Sequence, residues 1–284
     1  MGKNQAERTP IVDPRHAPNL FSITDATKSA PNDAFWPVDL FHLDELDTYD
    51  HQFKELLHKL GFNSFFDVFE YLRTNKSSHV LDLMGGAYFL KPNDYSRVDS
   101  TTGVRLGNPE SAYIQKLKAI IQQIGKNGKT DTQMMRKTFQ WIKQLNSEKK
   151  RAVVYGSTYD KETWQDLSLS MRRRRIPSFD LVICRPEGPF FESFITDDVP
   201  LTDRQKLKYA AVFDKVFREV LERVNQQHGL LFFQIPEIFD RAWIDAWTKK
   251  IAARYNLEIH LWTDLRFNAL TGRNAHSFAA RFKN

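Results

Sequence analysis

The stretch HVLDLMGGAYFL, residues 79–90, governs how the rest of the chain is read. An apolar run carries Asp82 near its end, and two adjacent glycines, Gly85 and Gly86, follow Leu83 and Met84. A short apolar run that stops at glycines is a strand signal. Past the strand, two residues without Cβ atoms leave the main chain bare. Either the chain turns tightly into a helix there, or a ligand lies against that backbone. Open α/β sheets bind ligands beyond the carboxyl ends of their strands, which is where such a turn falls. The spacing G-x-G-x-x-G of a dinucleotide site is absent from this stretch.

Outward from residue 79, short apolar runs alternate with helical stretches. The predicted strands are His79–Leu83, Thr102–Leu106, Ala152–Tyr155, Phe179–Cys184, Leu230–Ile235, Leu257–Trp262 and His276–Phe282. Several are apolar without alternation, as strands buried on both faces of a parallel sheet must be. Between them, Val216, Phe217, Val220, Leu221 and Val224 keep helical spacing, as do Trp243, Ile244, Trp247 and Ile251. Thr202 with Gln205 reads as a capping box, and Gly229 as the stop of that helical segment. Upstream, Phe53, Leu56, Leu57 and Leu60 form one helical face ending at Gly61, and Phe65, Phe66, Val68, Phe69 and Leu72 form another. The expected fold is α/β: a doubly wound, mostly parallel seven-stranded Rossmann-like sheet with N-terminal helices and a helical insertion. The expected divisions are a polar arm over residues 1–43, helices over 44–78, and the sheet domain over 79–284 with its insertion at about 125–148.

Bulk properties exclude several classes. One cysteine, Cys184, rules out an internal disulfide framework and a multi-cysteine zinc site. The eight histidines are scattered without metal-ligand spacing, so no metal is expected. No segment approaches the roughly 20 apolar residues that span a bilayer. The first residues contain no apolar signal core, and Ala6 breaks the myristoylation pattern begun by Gly2. The expectation is a cytoplasmic protein with no membrane partner. The net charge of +6 is a mild basic excess that admits an acidic partner without demanding one.

Three segments occur in order with strand spacing: VLDLMGG (80–86), VVYGSTYDKETW (153–164) and FDLVICRPEGPF (179–190). Together they resemble the class I S-adenosylmethionine-dependent methyltransferases over about residues 75–284. Asp82, Gly85 and Gly86 match the acid and glycines that close the family's first strand. Gly156-Ser157 stands where the third strand ends in Gly-Asp. LEIHLWTDLRF (257–267) and HSFAARFKN (276–284) resemble the closing reversed hairpin. The resemblance implies S-adenosylmethionine as cofactor, bound by Asp82, Gly85, Gly86, Ala87, Asn108, Gly156, Ser157 and Asp160. Ser157 would accept from the adenine amino group, with Asp160 as fallback, and Asn108 or Glu110 would meet the ribose. Arg185 and Glu187 lie where acceptors bind and react: Arg185 to hold an anionic acceptor, Glu187 as a base. Arg185 replaces the acceptor residue of amino methyltransferases and offers only donors. Tyr88 replaces a family glycine, and Arg105 replaces the ribose-binding acid. Those two changes, with Ser157, also suit a degenerate scaffold or binding module that has lost the cofactor.

MRRRR, residues 171–175, is the densest charge run, and Arg172, Arg173, Arg174 and Arg175 are candidate phosphate contacts. They support a third reading, a nucleic-acid-binding protein or a methyltransferase acting on nucleic acid. Other patterns fail on spacing or context. GKNGKT (125–130) is two residues short of a phosphate loop and lies between helices. Gly156-Ser157 lacks the second glycine of a nucleophile elbow. An arginine such as Arg105 could meet a 2′-phosphate in a dinucleotide fold, but the glycine fingerprint is missing. Cys184 reads as a small buried hydrophobe.

Overall fold

The structure is a computed structural model of the 284-residue chain, and it describes residues 45–83, 97–105, 150–184, 202–236, 241–268 and 273–283. Two helices, α1 (Glu45–Lys59) and α2 (Phe65–Thr74), precede the sheet. Gly61 separates them at φ +88, a left-handed conformation that a side chain would strain. A Cβ at that position would meet no atom within 4 Å, so the demand for glycine is purely conformational. Ser64 caps α2 by accepting from the Asp67 amide. The strands are β1 (His79–Leu83), β2 (Ser100–Arg105), β3 (Arg151–Tyr155), β4 (Leu181–Cys184), β5 (Leu230–Pro236), β6 (Leu257–Asn268) and β7 (Arg273–Phe282). Helix α3 (Lys161–Arg174) follows β3, α4 (Asp203–Leu221) precedes β5, and α5 (Arg241–Tyr255) follows β5.

The seven strands form one sheet in the order β3-β2-β1-β4-β5-β7-β6. All neighbours from β3 to β5 are parallel, and only β7 runs against both of its partners. This is the mostly parallel Rossmann-like sheet, closed by a reversed hairpin, that the sequence led us to expect. The chain winds outward from β1 through β2 to β3, then returns to the other side of β1 with β4. The strand order therefore reverses between β1 and β4, where an open α/β sheet has its ligand crevice.

Side-chain alternation divides the core into two layers. On one face, Phe53, Leu56 and Leu57 of α1 and Phe65, Phe69 and Leu72 of α2 cover Val80, Leu181, Ile183 and Phe232. The rings of Phe53, Phe65 and Phe232 meet edge to face at 4.9–6.1 Å. On the other face, α3, α4 and α5 cover Leu81, Leu83, Val182, Leu231 and Phe233. Phe217 of α4, Trp247 of α5 and Phe278 of β7 meet there at 5.3–5.7 Å.

Three sequence expectations need adjustment. Helix α4 ends at Leu221, and Gly229 is not its stop. Gly229 lies after a turn, where a Cβ would overlap the Asn225 carbonyl oxygen. Strands β6 and β7 extend to Asn268 and Arg273, well beyond the apolar runs that announced them. Ladder pairing sustains these polar extensions, past a register shift between Trp262 and Arg266. The fourth strand starts at Leu181 rather than Phe179, which makes only an isolated bridge to Val224.

Candidate active site

The carboxyl ends of β1 to β5 are Leu83, Arg105, Tyr155, Cys184 and Pro236. Asp82, one residue before its strand's tip, is 2 % exposed. It stands in register with Gly103 of β2 and Ile183 of β4, at the point where the strand order reverses. By alternation it shares a face with Val80, the face covered by α1 and α2. Its charge reaches Cys184: burial pushes that thiol well above its ordinary range, and Asp82 adds to the shift. Cys184 is thus held as a neutral thiol, fitting the reading of a buried small hydrophobe rather than a nucleophile.

Two strands away, β3 ends in a tightly held loop. Ser157, 2 % exposed, turns its hydroxyl back to accept from the Tyr159 amide at 3.2 Å. The Asp160 amide donates to the Ser157 carbonyl at 3.0 Å. Trp164 Nε1 donates to the Thr158 carbonyl at 2.8 Å, and Lys215 Nζ reaches across from α4 to the Tyr159 carbonyl at 3.0 Å. Gly156 is required by packing, since a Cβ there would overlap Thr163 Oγ1 on the first turn of α3. Asp160 occupies the N-cap of α3 without a side-chain cap bond. Burial holds its carboxyl above the usual carboxylate range, Glu162 adds to that, and Lys215 opposes it.

Strands in a sheet are spaced about 4.8 Å apart, so the tips of β1 and β3 lie about 10 Å from one another across β2. Asp82, Gly156, Ser157 and Asp160 therefore border one rim of the sheet. Gly85, Gly86, Ala87, Tyr88, Asn108, Glu110, Arg185 and Glu187 lie outside the described residues. Sequence reasoning missed Lys215 and Thr163. Lys215 is one cation among many on a helix, and its role comes from a crossing of α4 over the β3 loop that no local pattern announces. Thr163 follows Asp160 at the spacing of a helix start, which was a usable signal. Among the described residues no group of three His, Cys, Asp or Glu side chains is placed to hold a metal, and no helix is long and apolar enough to cross a membrane.

No protein-family model matches the sequence, and no curated protein matches it either. Among solved structures, similar chains include three methyltransferases. The methyltransferase domain of bacterial CtHen1 is 14 % identical, with 77 % of this chain and 96 % of that one covered and a TM-score of 0.36. An rRNA methylase from Streptococcus thermophilus is 9 % identical over 73 % and 88 %, at 0.34. A precorrin-6y C5,15-methyltransferase from Geobacter metallireducens is 10 % identical over 73 % and 81 %, at 0.33. Superpositions this loose do not define the architecture; the strand order and the reversed β7 do.

Proposed function

We propose that the chain is an S-adenosylmethionine-dependent methyltransferase of the cytoplasm. One observation carries this reading: a buried carboxylate, Asp82, stands at the strand reversal of a sheet closed by an antiparallel β7, three residues ahead of a pair of glycines in the sequence. A sulfonium nucleoside with an amino-acid tail has donors at both ends. Asp82 accepts from the methionine part, and the bare backbone of Gly85 and Gly86, followed by the small Ala87, lets that part approach. Asn108 takes the ribose. At the far end, Gly156, Ser157 and Asp160 border the adenine. The Ser157 hydroxyl already serves its own loop, so the more exposed Asp160, whose side chain caps nothing, is the better acceptor for the adenine amino group.

The cofactor, when bound, supplies an electrophilic methyl group. The protein's share is alignment, because the nucleophile must approach in line with the departing sulfur. The hydrogen bonds that pin the loop from Gly156 to Asp160 fix one rim before any ligand arrives. Arg185 and Glu187 are proposed to hold an anionic acceptor and to remove its proton.

Isothermal titration with S-adenosylmethionine tests the reading. Binding is expected, and it should weaken in Asp82→Asn and in Asp160→Asn. Absence of heat together with absence of a thermal shift would leave a scaffold that has lost the cofactor.

A further inference from the structure

The arginine run does not act as one block. Arg174 turns inward: its Nη1 donates to Thr102 Oγ1 at 2.6 Å and its Nη2 to the Thr101 carbonyl at 3.1 Å, fastening the end of α3 to β2. Thr101 stands in register with Arg151, the first residue of β3, and its amide donates to the Lys150 carbonyl. Two basic segments far apart in sequence, Lys150-Arg151 and Arg172–Arg175, thus converge on one corner of the sheet. Burial, and to a lesser degree the nearby Arg151, pull the Arg174 guanidinium down to about 10.

Arg172, Arg173 and Arg175 remain exposed, and none makes an ion pair among the described residues. Cations in a last turn complement the helix dipole, which accounts for Arg172 and Arg173 at least in part. It does not account for Arg175. That residue sits at φ 58, ψ 39, in the left-handed position that closes the helix. Its amide bonds to the Arg172 carbonyl and the Ile176 amide to the Met171 carbonyl, the paired closure in which glycine is the usual occupant. A side chain there opposes stability. An exposed arginine therefore stands where glycine would be easier, its charge unused by the helix closure itself.

We propose that this corner, at the amino ends of β2 and β3, docks the phosphate backbone of a nucleic acid through Arg172, Arg173 and Arg175. Unneutralised guanidiniums on a basic chain match a polyphosphate. An anionic membrane is a poorer match, because among the described residues the large apolar side chains exposed are only Tyr71, Leu169 and Leu207, of which Leu169 alone is on α3. The corner is about 20 Å, the length of α3, from the rim that holds Asp160. The docking does not depend on methyl transfer.

The test is fluorescence anisotropy of the full chain with a labelled 20-residue oligouridine and a 20-base-pair DNA duplex, over a salt series. Wild type should bind at least one probe, with affinity falling steeply as salt rises. Arg172→Glu/Arg173→Glu/Arg175→Glu should lose at least about tenfold in affinity, and the log–log salt slope should shrink by about 2 for a single strand. S-adenosylmethionine binding should be unchanged in that variant. Arg175→Gly guards against misfolding: it should raise the melting temperature by about 2–4 °C yet weaken nucleic-acid binding. Lys249→Glu/Lys250→Glu, at exposed positions of α5, controls for net charge and should bind as wild type. The proposal is overturned if neither probe binds, if the triple variant binds as wild type, if the α5 control loses as much, or if vesicles containing phosphatidylserine bind and both probes do not.

Discussion

The two ends of the parallel strands each bury an aspartate, and the two acids differ in where they stand and what they serve. At the amino ends, Asp180 is 0 % exposed and held on every side. Its Oδ2 accepts from Ser77 Oγ at 2.6 Å and the His79 amide at 2.9 Å. Its Oδ1 accepts from Asn225 Nδ2 and lies 3.0 Å from His228 Nε2. The carboxylate ties the starts of β1 and β4 to the turn before β5, across separations of up to 103 residues. At the carboxyl ends, Asp82 stands at the strand reversal, one residue before the tip of β1. The same residue type, buried in both places, closes the fold at one end and stands at the strand reversal at the other. A buried acid therefore has no meaning of its own until its donors are known.

The comparison is most exposed to failure at Asp180. Asp180→Ala leaves several buried donors without an acceptor, at about 1–3 kcal/mol each, and should cost about 3–5 kcal/mol in urea unfolding. A loss below about 1 kcal/mol would end the contrast. Next comes the rim: Gly156→Ala must displace Thr163 from the first turn of α3 and should cost about 2 kcal/mol. Full stability in that variant would mean the β3 loop is not held as described. Asp82→Asn sharpens the comparison, with an expected loss of about tenfold in S-adenosylmethionine affinity, worth about 1.4 kcal/mol, and a smaller effect on unfolding than Asp180→Ala. Equal destabilisation by the two would make both acids structural.

The smallest effect is one of pH. Burial lowers the pKa of His79, and Arg174 adds to that, while Asp180 and Asp99 pull it up. The unfolded chain then binds more protons than the folded one just below about pH 6.5, so stability should fall as pH drops through that value and be flat above it. His79→Asn keeps a polar group beside Ser100 Oγ, 2.9 Å from the native ring nitrogen, but does not titrate. Unfolding measured from pH 5 to 8 should show a shallower acid loss in the variant. An unchanged slope would assign the acid sensitivity to other groups.

Much of this architecture was legible in the chain itself. The runs at 79–83, 152–155 and 230–235 became strands, and the faces of α1, α2 and α4 are those their spacing marked, with Phe53, Val68 and Phe217 fully buried. Burial periodicity is a property of neighbours along the chain, and a single sequence displays it. The site was less legible. Ser157 could be matched to an acid-bearing position, but not seen to spend its hydroxyl on Tyr159. Lys215 gave no signal, because its partner lies 56 residues away.

The sequence alone determined which segments are strands and helices, which of their faces are apolar, and that an acid precedes two glycines, since all of these follow from local order. Only the tertiary structure decided that β4 returns beside β1, that Asp180 gathers its donors while Asp82 borders the reversal, and that one of four consecutive arginines turns inward. Those outcomes depend on crossovers and register between distant segments, and the free energy that selects them exists only once the strands have paired.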